Sequence, residues 1–218
     1  MSWHLLRDVP AEDVRLLLSV ARRRRFDRRE VVYHHGDPAD SLHLVSSGRF
    51  LVRVATQLGE TVTLALLGPG EIFGEMALAG VEPHRSATVE ALEPSETFAV
   101  YQTDFERLRE QHPSVDRVLI ALLVAEVRVL NERLLEAFYV PAEKRILRRV
   151  SELAGVFGTS SGQATELPLT QEDLATFAGT SRATVNQVLR EEQKRGTVEL
   201  RRGKTVIVDL EALQKRSR

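Results

Sequence analysis

One stretch of the chain combines residue types that could bind a phosphate. Gly74 to Leu78 can begin a short helix directly after a strand, and Arg85 and Ser86 follow on the next strand. Glycine lets a phosphate approach the backbone, and the free N–H groups at a helix start attract an anion. A guanidinium can clamp phosphate oxygens through two hydrogen bonds, and a hydroxyl can donate one more. These residues predict an anion site.

Glu75 adds a different chemistry to this segment. A carboxylate repels phosphate, but it can accept a hydrogen bond from a sugar hydroxyl. Glu75 together with Gly74, Arg85 and Ser86 therefore describes a site for a phosphate joined to a ribose. An ion pair between Arg85 and Glu75 on the surface of a glycine-rich turn is the alternative, and the residue types alone leave both open.

The elements that must position these residues are predicted to be short strands. From Phe26 to about Tyr101, β-branched runs alternate with turn signals such as Gly68-Pro69-Gly70. Strands at this spacing indicate an antiparallel barrel or sandwich. A short helix is expected before them, over Val9 to Arg25, with the basic run Arg22 to Arg25 just before the first strand.

A long helix is predicted over Ser114 to Tyr139. Its apolar residues repeat at steps of three and four, as in the a/d seam of a two-stranded coiled coil. A second apolar stripe could face the barrel. We expect a dimerisation helix, and a core helix packed within one chain is the alternative. The seam is Ile120, Leu123, Val127, Leu130, Leu134 and Ala137, and the second stripe is Val115, Val118, Leu119 and Leu122.

The last part of the chain has the pattern of a DNA-binding domain. After Pro141 and a helix over Ala142 to Ala154, the segment from Leu169 predicts a helix that starts with a variant of the capping box, formed by Thr170 and Asp173. A tight turn at Gly179 and a second helix capped by Ser181 are expected after it. A hairpin with Arg202-Gly203-Lys204 at its tip follows. A helix-turn-helix beside a basic β wing is a DNA-binding layout.

The composition excludes several classes of protein and of metal site. The chain has 218 residues and no cysteine, which excludes disulfides, cysteine-ligated zinc and conventional iron–sulfur clusters. Residues 141–218 hold 14 Lys+Arg against 10 Asp+Glu, and the rest is net acidic. No apolar run is long enough for a membrane span, and the N-terminus lacks the layout of a signal peptide, so a cytoplasmic protein is expected. Of the six histidines only His34 and His35 are adjacent, and neighbouring side chains in an extended segment point opposite ways, so no metal site is expected.

Several motifs in this order resemble the CRP/FNR superfamily of bacterial transcription regulators. They are GDPADSLHLVSSG, FGEMAL with RSA, the long helix, TSRATVNQVL and GKTVIVD. The resemblance implies an α+β fold with three parts. A cyclic-nucleotide-binding β-barrel (jelly roll) would span 1–112, a dimerisation helix and hinge 113–140, and a winged helix-turn-helix DNA-binding domain 141–218.

The resemblance also implies a ligand set. Glu75 would bind the ribose 2′-hydroxyl, Arg85 and Ser86 the cyclic phosphate, and Asn131 an adenine edge. Leu130 departs from the threonine usual in the family. Cyclic AMP is the expected allosteric effector, with no metal, haem or iron–sulfur cluster. The expected ligand-binding residues are Gly74, Glu75, Met76, Ala77, Arg85, Ser86, Ala87, Leu130 and Asn131.

The same resemblance implies how DNA is read. Arg182 would read guanine in a palindromic site, and Ser181 and Thr184 would contact phosphates. Ala183 and Gln187 depart from the family pattern, so the half-site is expected to be related to TGTGA but different from it. The expected DNA-binding residues are Thr170, Gln171, Ser181, Arg182, Ala183, Thr184, Asn186, Gln187, Arg201 and Lys204, and Arg202 adds charge to the wing.

The expected function is therefore a homodimeric, DNA-binding regulator gated by a cyclic nucleotide. Arg22 and Arg24, and the loop Phe157 to Glu166, match family surfaces that contact RNA polymerase. One alternative is a ligand-independent regulator of the same fold with a vestigial pocket. Another is a cyclic-nucleotide-binding regulatory subunit. No general base stands beside the phosphate-binding residues, so an enzyme is not expected.

Overall fold

The computed structural model describes residue 6 and residues 9–55, 61–80, 83–158 and 164–217. The chain forms two compact units. One contains residues 1–61 and 65–131 and the other contains residues 62–64 and 132–218, so their main boundary falls within a long helix. The elements of the N-terminal part are α1 (Ala11–Ser19), β1 (Arg22–Phe26), β2 (Val31–Tyr33), β3 (Ser41–Ser47), β4 (Phe50–Ala55), β5 (Thr61–Leu67), β6 (Ile72–Phe73), α2 (Met76–Ala79), β7 (Thr88–Ala91), β8 (Ser95–Tyr101), α3 (Gln102–Gln111) and α4 (Asp116–Tyr139). Those that follow are α5 (Ala142–Phe157), β9 (Thr165–Leu167), α6 (Gln171–Ala178), α7 (Arg182–Lys194), β10 (Val198–Arg201), β11 (Lys204–Ile207) and α8 (Leu210–Ser217).

The first eight strands form two four-stranded sheets. Their orders are β1-β8-β3-β6 and β2-β7-β4-β5, and the described pairs are antiparallel. Phe26 and Phe73 from one sheet meet Phe50 from the other, with ring centroids 5.7 and 5.3 Å from the Phe50 ring. This aromatic core explains why the alternating strands close on each other. The predicted antiparallel barrel is confirmed.

The expectation of a helix over Val9 to Arg25 was wrong in its second half. The helix ends at Ser19, and the four arginines form strand β1 together with Phe26 instead of preceding a strand. Strand β1 pairs along β8, which aligns Arg23 with Phe98. All four arginine side chains are exposed, and only Phe26 turns into the core. Pairing with β8 and burial of Phe26 outweigh the weak strand propensity of four arginines.

The long helix has two apolar faces, as the sequence predicts. Val118 and Leu122 are buried against Leu42 and other barrel residues, together with Val115 in the short 3-10 helix (Pro113–Val115) just before α4. The other face is exposed along its length. Exposure of at least 45% is found at Ile120, Val124, Val127, Leu130, Leu134, Leu135, Phe138 and Tyr139.

The second unit contains the predicted helix-turn-helix and wing, together with two elements that the sequence did not suggest. Strand β9 adds a third strand to the hairpin, in the order β10-β11-β9. Helix α8 packs on α5, where the Arg148 guanidinium donates to the carbonyl of Ser217 at 2.8 Å. Among the described residues, no helix is both long enough and apolar enough to cross a membrane.

Candidate nucleotide-binding and DNA-binding sites

Gly74 brings the start of α2 against the side chain of Arg85. Its φ of +77° lies in the left-handed region, where glycine is favoured. A Cβ at this position would lie 2.8 Å from Nη1 of Arg85 and 2.8 Å from the carbonyl oxygen of Ser41. Glycine is therefore needed here both for the backbone conformation and for the close approach. The structure thus brings Gly74 and Arg85 together, as the sequence predicted.

Arg85 is a buried cation with a nearly complete set of partners. Nη1 donates to the carbonyl of Ser41 at 2.7 Å, and Nη2 donates to Asp40 Oδ1 and Ser41 Oγ, each at 2.9 Å. The guanidinium lies over the ring of Tyr33, 4.0 Å from its centroid. Nε is buried and has no hydrogen-bond partner among the residues that the structure describes. The alternative of a surface ion pair with Glu75 is wrong, because Arg85 is buried and pairs with Asp40.

The backbone around Arg85 is fixed by the loop that precedes β3. The amide of Arg85 donates to the carbonyl of Asp37 at 2.8 Å, and its carbonyl accepts from the amide of Gly36 at 2.9 Å. The amide of Ala39 donates to the carbonyl of Pro83 at 2.9 Å. Asp40 therefore stands on a loop that is directly hydrogen-bonded to the segment of Arg85.

Burial changes the electrostatics of the side chains around this cation. Burial raises the pKa of Glu75, and repulsion from Glu126 on α4 raises it further, against the attraction of Arg85. Burial likewise raises the pKa of the Tyr33 hydroxyl. The pKa of His43 falls to about 3, first because of burial and then because of the positive charges of Arg85 and Arg24. His43 is therefore neutral at physiological pH and can act as both donor and acceptor.

The other predicted ligand residues are placed less tightly. The hydroxyl of Ser86 is 4.0 Å from the sulfur of Met76, which is 42% exposed at the start of α2. Ala77 and Ala87 are buried. Leu130 and Asn131 are exposed on α4. The charged α4 side chain that acts on the site is that of Glu126, one turn earlier.

Sequence reasoning missed Tyr33, Asp40, Ser41 and His43 as parts of the site. Ser41 Oγ lies 2.8 Å from Asp40 Oδ1 and 3.2 Å from Nε2 of His43, whose Nδ1 lies 3.0 Å from Thr97 Oγ1. Asp40, Ser41 and His43 fall in GDPADSLHL, a segment that supports the family resemblance but to which the sequence alone assigns no ligand role. An acidic and a hydroxyl side chain at the start of a buried strand were the available signal.

The helix-turn-helix is built by local hydrogen bonds. At the start of α6, Thr170 Oγ1 accepts from the amide of Asp173 at 3.1 Å, and the Asp173 carboxylate accepts from the amide of Thr170 at 2.9 Å. Gly179 has a φ of +60° in the turn. Ser181 caps α7 by accepting from the amide of Thr184 at 3.2 Å. The predicted caps and turn are thus confirmed.

Several predicted DNA-binding residues line one cavity of about 530 Å³ within the second unit. Arg182 and Ala183 are exposed at the first turn of α7, and Gln187 is exposed one turn later. Nδ2 of the Asn186 side chain donates to Gln171 Oε1 at 2.8 Å, which links α7 to α6. The cavity's lining includes Thr170, Gln171, Arg182, Arg201 and Lys204.

The wing residues have partners of their own. Nζ of Lys204 lies 2.8 Å from the Glu166 carboxylate, and the Arg201 guanidinium lies 2.7 Å from Glu199. Both ion pairs are partly exposed, so each contributes little to stability. Lys204 begins β11, so Arg202 and Gly203 alone form the tip of the hairpin.

The two arginines expected to contact RNA polymerase lie on β1. Arg22 pairs with Asp104 at 2.7 Å, and Arg24 donates to the hydroxyl of Tyr101 at 3.0 Å. Residues 159–163 of the loop expected at Phe157 to Glu166 lie outside the described residues. The parts of that segment that are described belong to the end of α5 and to β9.

Comparison with known proteins identifies a family for each of the two parts of the chain. Residues 23–112 match the family described as cyclic nucleotide-binding domain, and residues 144–216 match the Crp-like helix-turn-helix domain. The fold and sites therefore define a DNA-binding transcription regulator with a cyclic-nucleotide-binding domain. The chain belongs to the CRP/FNR family.

Individual relatives cover nearly the whole chain. It is 34% identical to the cyclic AMP receptor protein of Thermus thermophilus over 90% of this chain and 88% of that protein. It is 30% identical to a CRP-like cAMP-activated global transcriptional regulator of Mycobacterium tuberculosis, over 88% and 87%. Among solved structures, the c-di-GMP responsive regulator CLP of Xanthomonas campestris matches with a TM-score of 0.73 and 25% identity, over 91% of this chain and 99% of that one.

Proposed function

We propose that this protein is a homodimeric transcription regulator that binds DNA when cyclic AMP occupies the barrel. The observation that supports the ligand site best is the approach of Gly74 to Arg85, with a buried Nε that has no partner. A buried donor without a partner is costly, and an anion at this point would satisfy it. Glu75 would accept from the ribose, and Ser86 would donate to the phosphate. Asn131 would contact adenine.

Dimerisation is proposed through the exposed face of α4. Its seam leaves Ile120, Val127, Leu130 and Leu134 more than half exposed, which a single chain in water does not favour. A second copy of the same helix, packed as a coiled coil, would bury this face on both chains. The ligand would then join the barrel to α4 beside the dimer seam.

The second unit contains contacts that could transmit a change in α4 to the DNA-binding helices. Glu136, near the end of α4, pairs with Arg148 and Arg149 of α5. Arg145 donates to the carbonyl of Val140 at 2.9 Å and to those of Ala178 and Gly179, each at 3.0 Å. A change in the course of α4 would therefore be carried to the turn before α7. Ligand binding would place the two copies of α7 about 34 Å apart, one turn of DNA.

Base reading is assigned to the first turns of α7. Arg182 would contact guanine, Asn186 and Gln187 would contact adenine, and the wing residues Arg201 and Lys204 would contact phosphate. We expect Arg182→Ala to cost about 1–3 kcal/mol on the preferred operator and to relax one base position. Lys204→Ala should weaken binding equally on all sequences. Gel shifts on single-base operator variants measure both, and equal loss on every sequence with Arg182→Ala would contradict the assignment.

Calorimetric titration of the purified protein with cyclic AMP and with cyclic GMP tests the ligand. We expect a dissociation constant for cyclic AMP in the micromolar range or below. Binding should be lost in Arg85→Ala and retained in Arg128→Ala, a control at an exposed residue. Gel shifts with and without the nucleotide then test gating, and ligand and DNA must strengthen each other's binding equally. The polymerase contact is tested by measuring transcription with the Arg22→Ala plus Arg24→Ala variant. The promoter is one at which the protein's binding site overlaps the −35 region.

One observation favours a second candidate, a regulator that needs no ligand. The Nη donors of Arg85 are already engaged by Asp40 and Ser41, and Leu130 replaces the polar residue expected on α4. In that case titration with either nucleotide would give no heat and no thermal shift. The protein alone would then retard a palindromic operator.

A further inference from the structure

Arg85 has an anionic partner that belongs to the protein itself. Its Nη2 donates to Asp40 Oδ1 at 2.9 Å, and the two side chains differ sharply in exposure. The Arg85 side chain is 3% exposed, whereas that of Asp40 is 63% exposed. The cation is therefore fixed in the barrel wall, and its counter-ion stands at the surface, where it can turn into solvent at low cost.

The hydrogen-bond geometry of a guanidinium limits how a phosphate could reach this arginine. A fork on a phosphate uses two neighbouring N–H groups, and the Nε edge of the fork pairs Nε–H with Nη2–H. No described residue accepts a hydrogen bond from Nε, but Nη2 donates both of its protons, one to Asp40 and one to Ser41. A phosphate that binds this edge with both oxygens must therefore displace one of these two acceptors.

Asp40 is the acceptor that can leave. Ser41 is buried, and its backbone carbonyl also holds Nη1 of Arg85 at 2.7 Å. If Asp40 turns away, the Ser41 hydroxyl loses its acceptor at 2.8 Å, but it still faces Nε2 of His43 at 3.2 Å. Neutral His43 can accept that proton, since its Nδ1 can then donate to Thr97. No buried hydroxyl is left unsatisfied when Asp40 leaves.

We propose that Asp40 is an internal competitor of the ligand phosphate, so that its ion pair with Arg85 sets the affinity of the site. This inference rests on the proposed function, since it needs a cyclic nucleotide that uses Arg85. In the free protein Asp40 neutralises the buried cation. On binding, the phosphate takes over Nη2 and Nε, and Asp40 moves into solvent. The site then binds more weakly than its donors allow, because part of the binding free energy is spent on releasing Asp40.

Asp40→Asn tests this with minimal change of shape, because asparagine keeps an acceptor for Ser41 but removes the negative charge. We expect the dissociation constant for cyclic AMP, measured by calorimetry, to fall about three- to tenfold, the range of a partly exposed ion pair. Asp37→Asn is the matched control. It removes the same charge from the same loop, where Asp37 Oδ2 accepts only a local bond from the His34 amide at 2.7 Å, and its affinity should not change.

A double-mutant cycle with Arg85→Lys shows whether Asp40 acts through Arg85. Lysine keeps the charge but cannot form a fork, so Asp40→Asn should have a clearly smaller effect in that background. Asp40→Ser serves as a second variant if the asparagine protein is unstable in a thermal melt.

The outcomes separate the two proposals. Competition is supported if Asp40→Asn binds cyclic AMP more tightly than the native protein and Asp37→Asn does not. It is also supported if Asp40→Asn binds cyclic AMP and the native protein does not bind it. If the native protein binds cyclic AMP and Asp40→Asn binds equally or more weakly, competition is overturned and the proposed function stands. Equal tightening by Asp37→Asn also overturns it, since a general charge effect then suffices. If no variant binds cyclic AMP or cyclic GMP, both proposals fail together.

Discussion

Arg85 in the barrel and Glu192 in the second unit are buried charged side chains, and their charges are compensated differently. In the second unit, Glu192 is 1% exposed, and both of its oxygens are satisfied. Oε1 accepts from Arg195 at 2.8 Å and Arg216 at 3.0 Å, and Oε2 accepts from Thr197 at 2.6 Å and from Arg216. In the barrel, Arg85 keeps one buried donor without a partner and an exposed counter-ion.

This difference in hydrogen bonding indicates that Glu192 has a structural role, whereas Arg85 can still bind a ligand. The Glu192 cluster ties α7 to α8 and to the segment before β10, and nothing remains for an external partner to satisfy. In the Arg85 cluster, Nε can still donate one hydrogen bond, and no described residue of the barrel accepts it. Unsatisfied buried donors are rare in folded proteins and are expected where a site awaits a partner.

The largest effect is expected from Glu192→Ala, which removes the central carboxylate of the Glu192 cluster. Glu192→Ala leaves Arg216 and Thr197 without their acceptor and detaches α8 from α7. We expect a loss of about 3 kcal/mol in the free energy of unfolding of the second unit, because breaking a buried pair leaves its partners uncompensated. Urea unfolding followed by circular dichroism measures it. Glu191→Ala, one residue earlier, is the control, and equal losses in the two variants would show that the cluster has no special role.

The next prediction compares two glycines with positive φ. Gly74→Ala should cost about 2–3 kcal/mol, because the left-handed backbone is strained and the new Cβ meets Arg85 and Ser41 at 2.8 Å. Gly179→Ala should cost only about 1 kcal/mol, since nothing lies within 4 Å of its Cβ. The same urea experiment serves for both. A cost at Gly74 no larger than that at Gly179 would mean that the approach to Arg85 is loose.

Acid should act on the barrel at a higher pH than on the second unit. The pKa of His43 is lowered to about 3, so the unfolded chain takes up a proton below about pH 6.5 that the folded barrel does not. Stability from this group is complete above pH 6.5 and should fall by about 2 kcal/mol by pH 5. His43→Gln should remove most of this loss and His35→Gln none of it. An unchanged pH profile in His43→Gln would contradict the assignment.

Glu192 titrates in a lower range. Burial alone would raise its pKa, but the hydrogen bonds from Thr197, Arg216 and Arg195 outweigh burial and lower it. A lowered carboxyl pKa stabilises the fold above its ordinary value of 4.5, and this stabilisation is lost only as the pH falls below that value. Urea unfolding at a series of pH values should therefore show that His43→Gln removes a loss of stability between about pH 6.5 and 5, whereas Glu192→Gln removes a loss only below about pH 4.5.

The sequence predicted the strands, the long helix, the caps and the turn because each depends on local signals. Thr170 with Asp173 and Ser181 are such cases, since a cap is formed by residues three positions apart. The prediction that Arg22 to Arg25 belong to a helix was wrong because these residues form a strand through pairing with β8, which is a long-range contact. The partner of Arg85 could not be read for the same reason, since Asp40 lies 45 residues away along the chain.

The smallest effect is expected from changing Tyr33, whose ring belongs to the Arg85 cluster. Its ring lies 4.0 Å from the guanidinium carbon of Arg85, a distance at which a cation–π contact contributes about 1 kcal/mol. Tyr33→Leu should lower the free energy of unfolding of the barrel by about that amount, whereas Tyr33→Phe keeps the ring and should change it by less than about 0.5 kcal/mol. A loss in Tyr33→Phe as large as that in Tyr33→Leu would assign the stabilisation to the hydroxyl. Arg85 would then be held by Ser41 and Asp40 alone, and the contrast with the Glu192 cluster would be sharper, because even the face of the cation would lack a permanent partner.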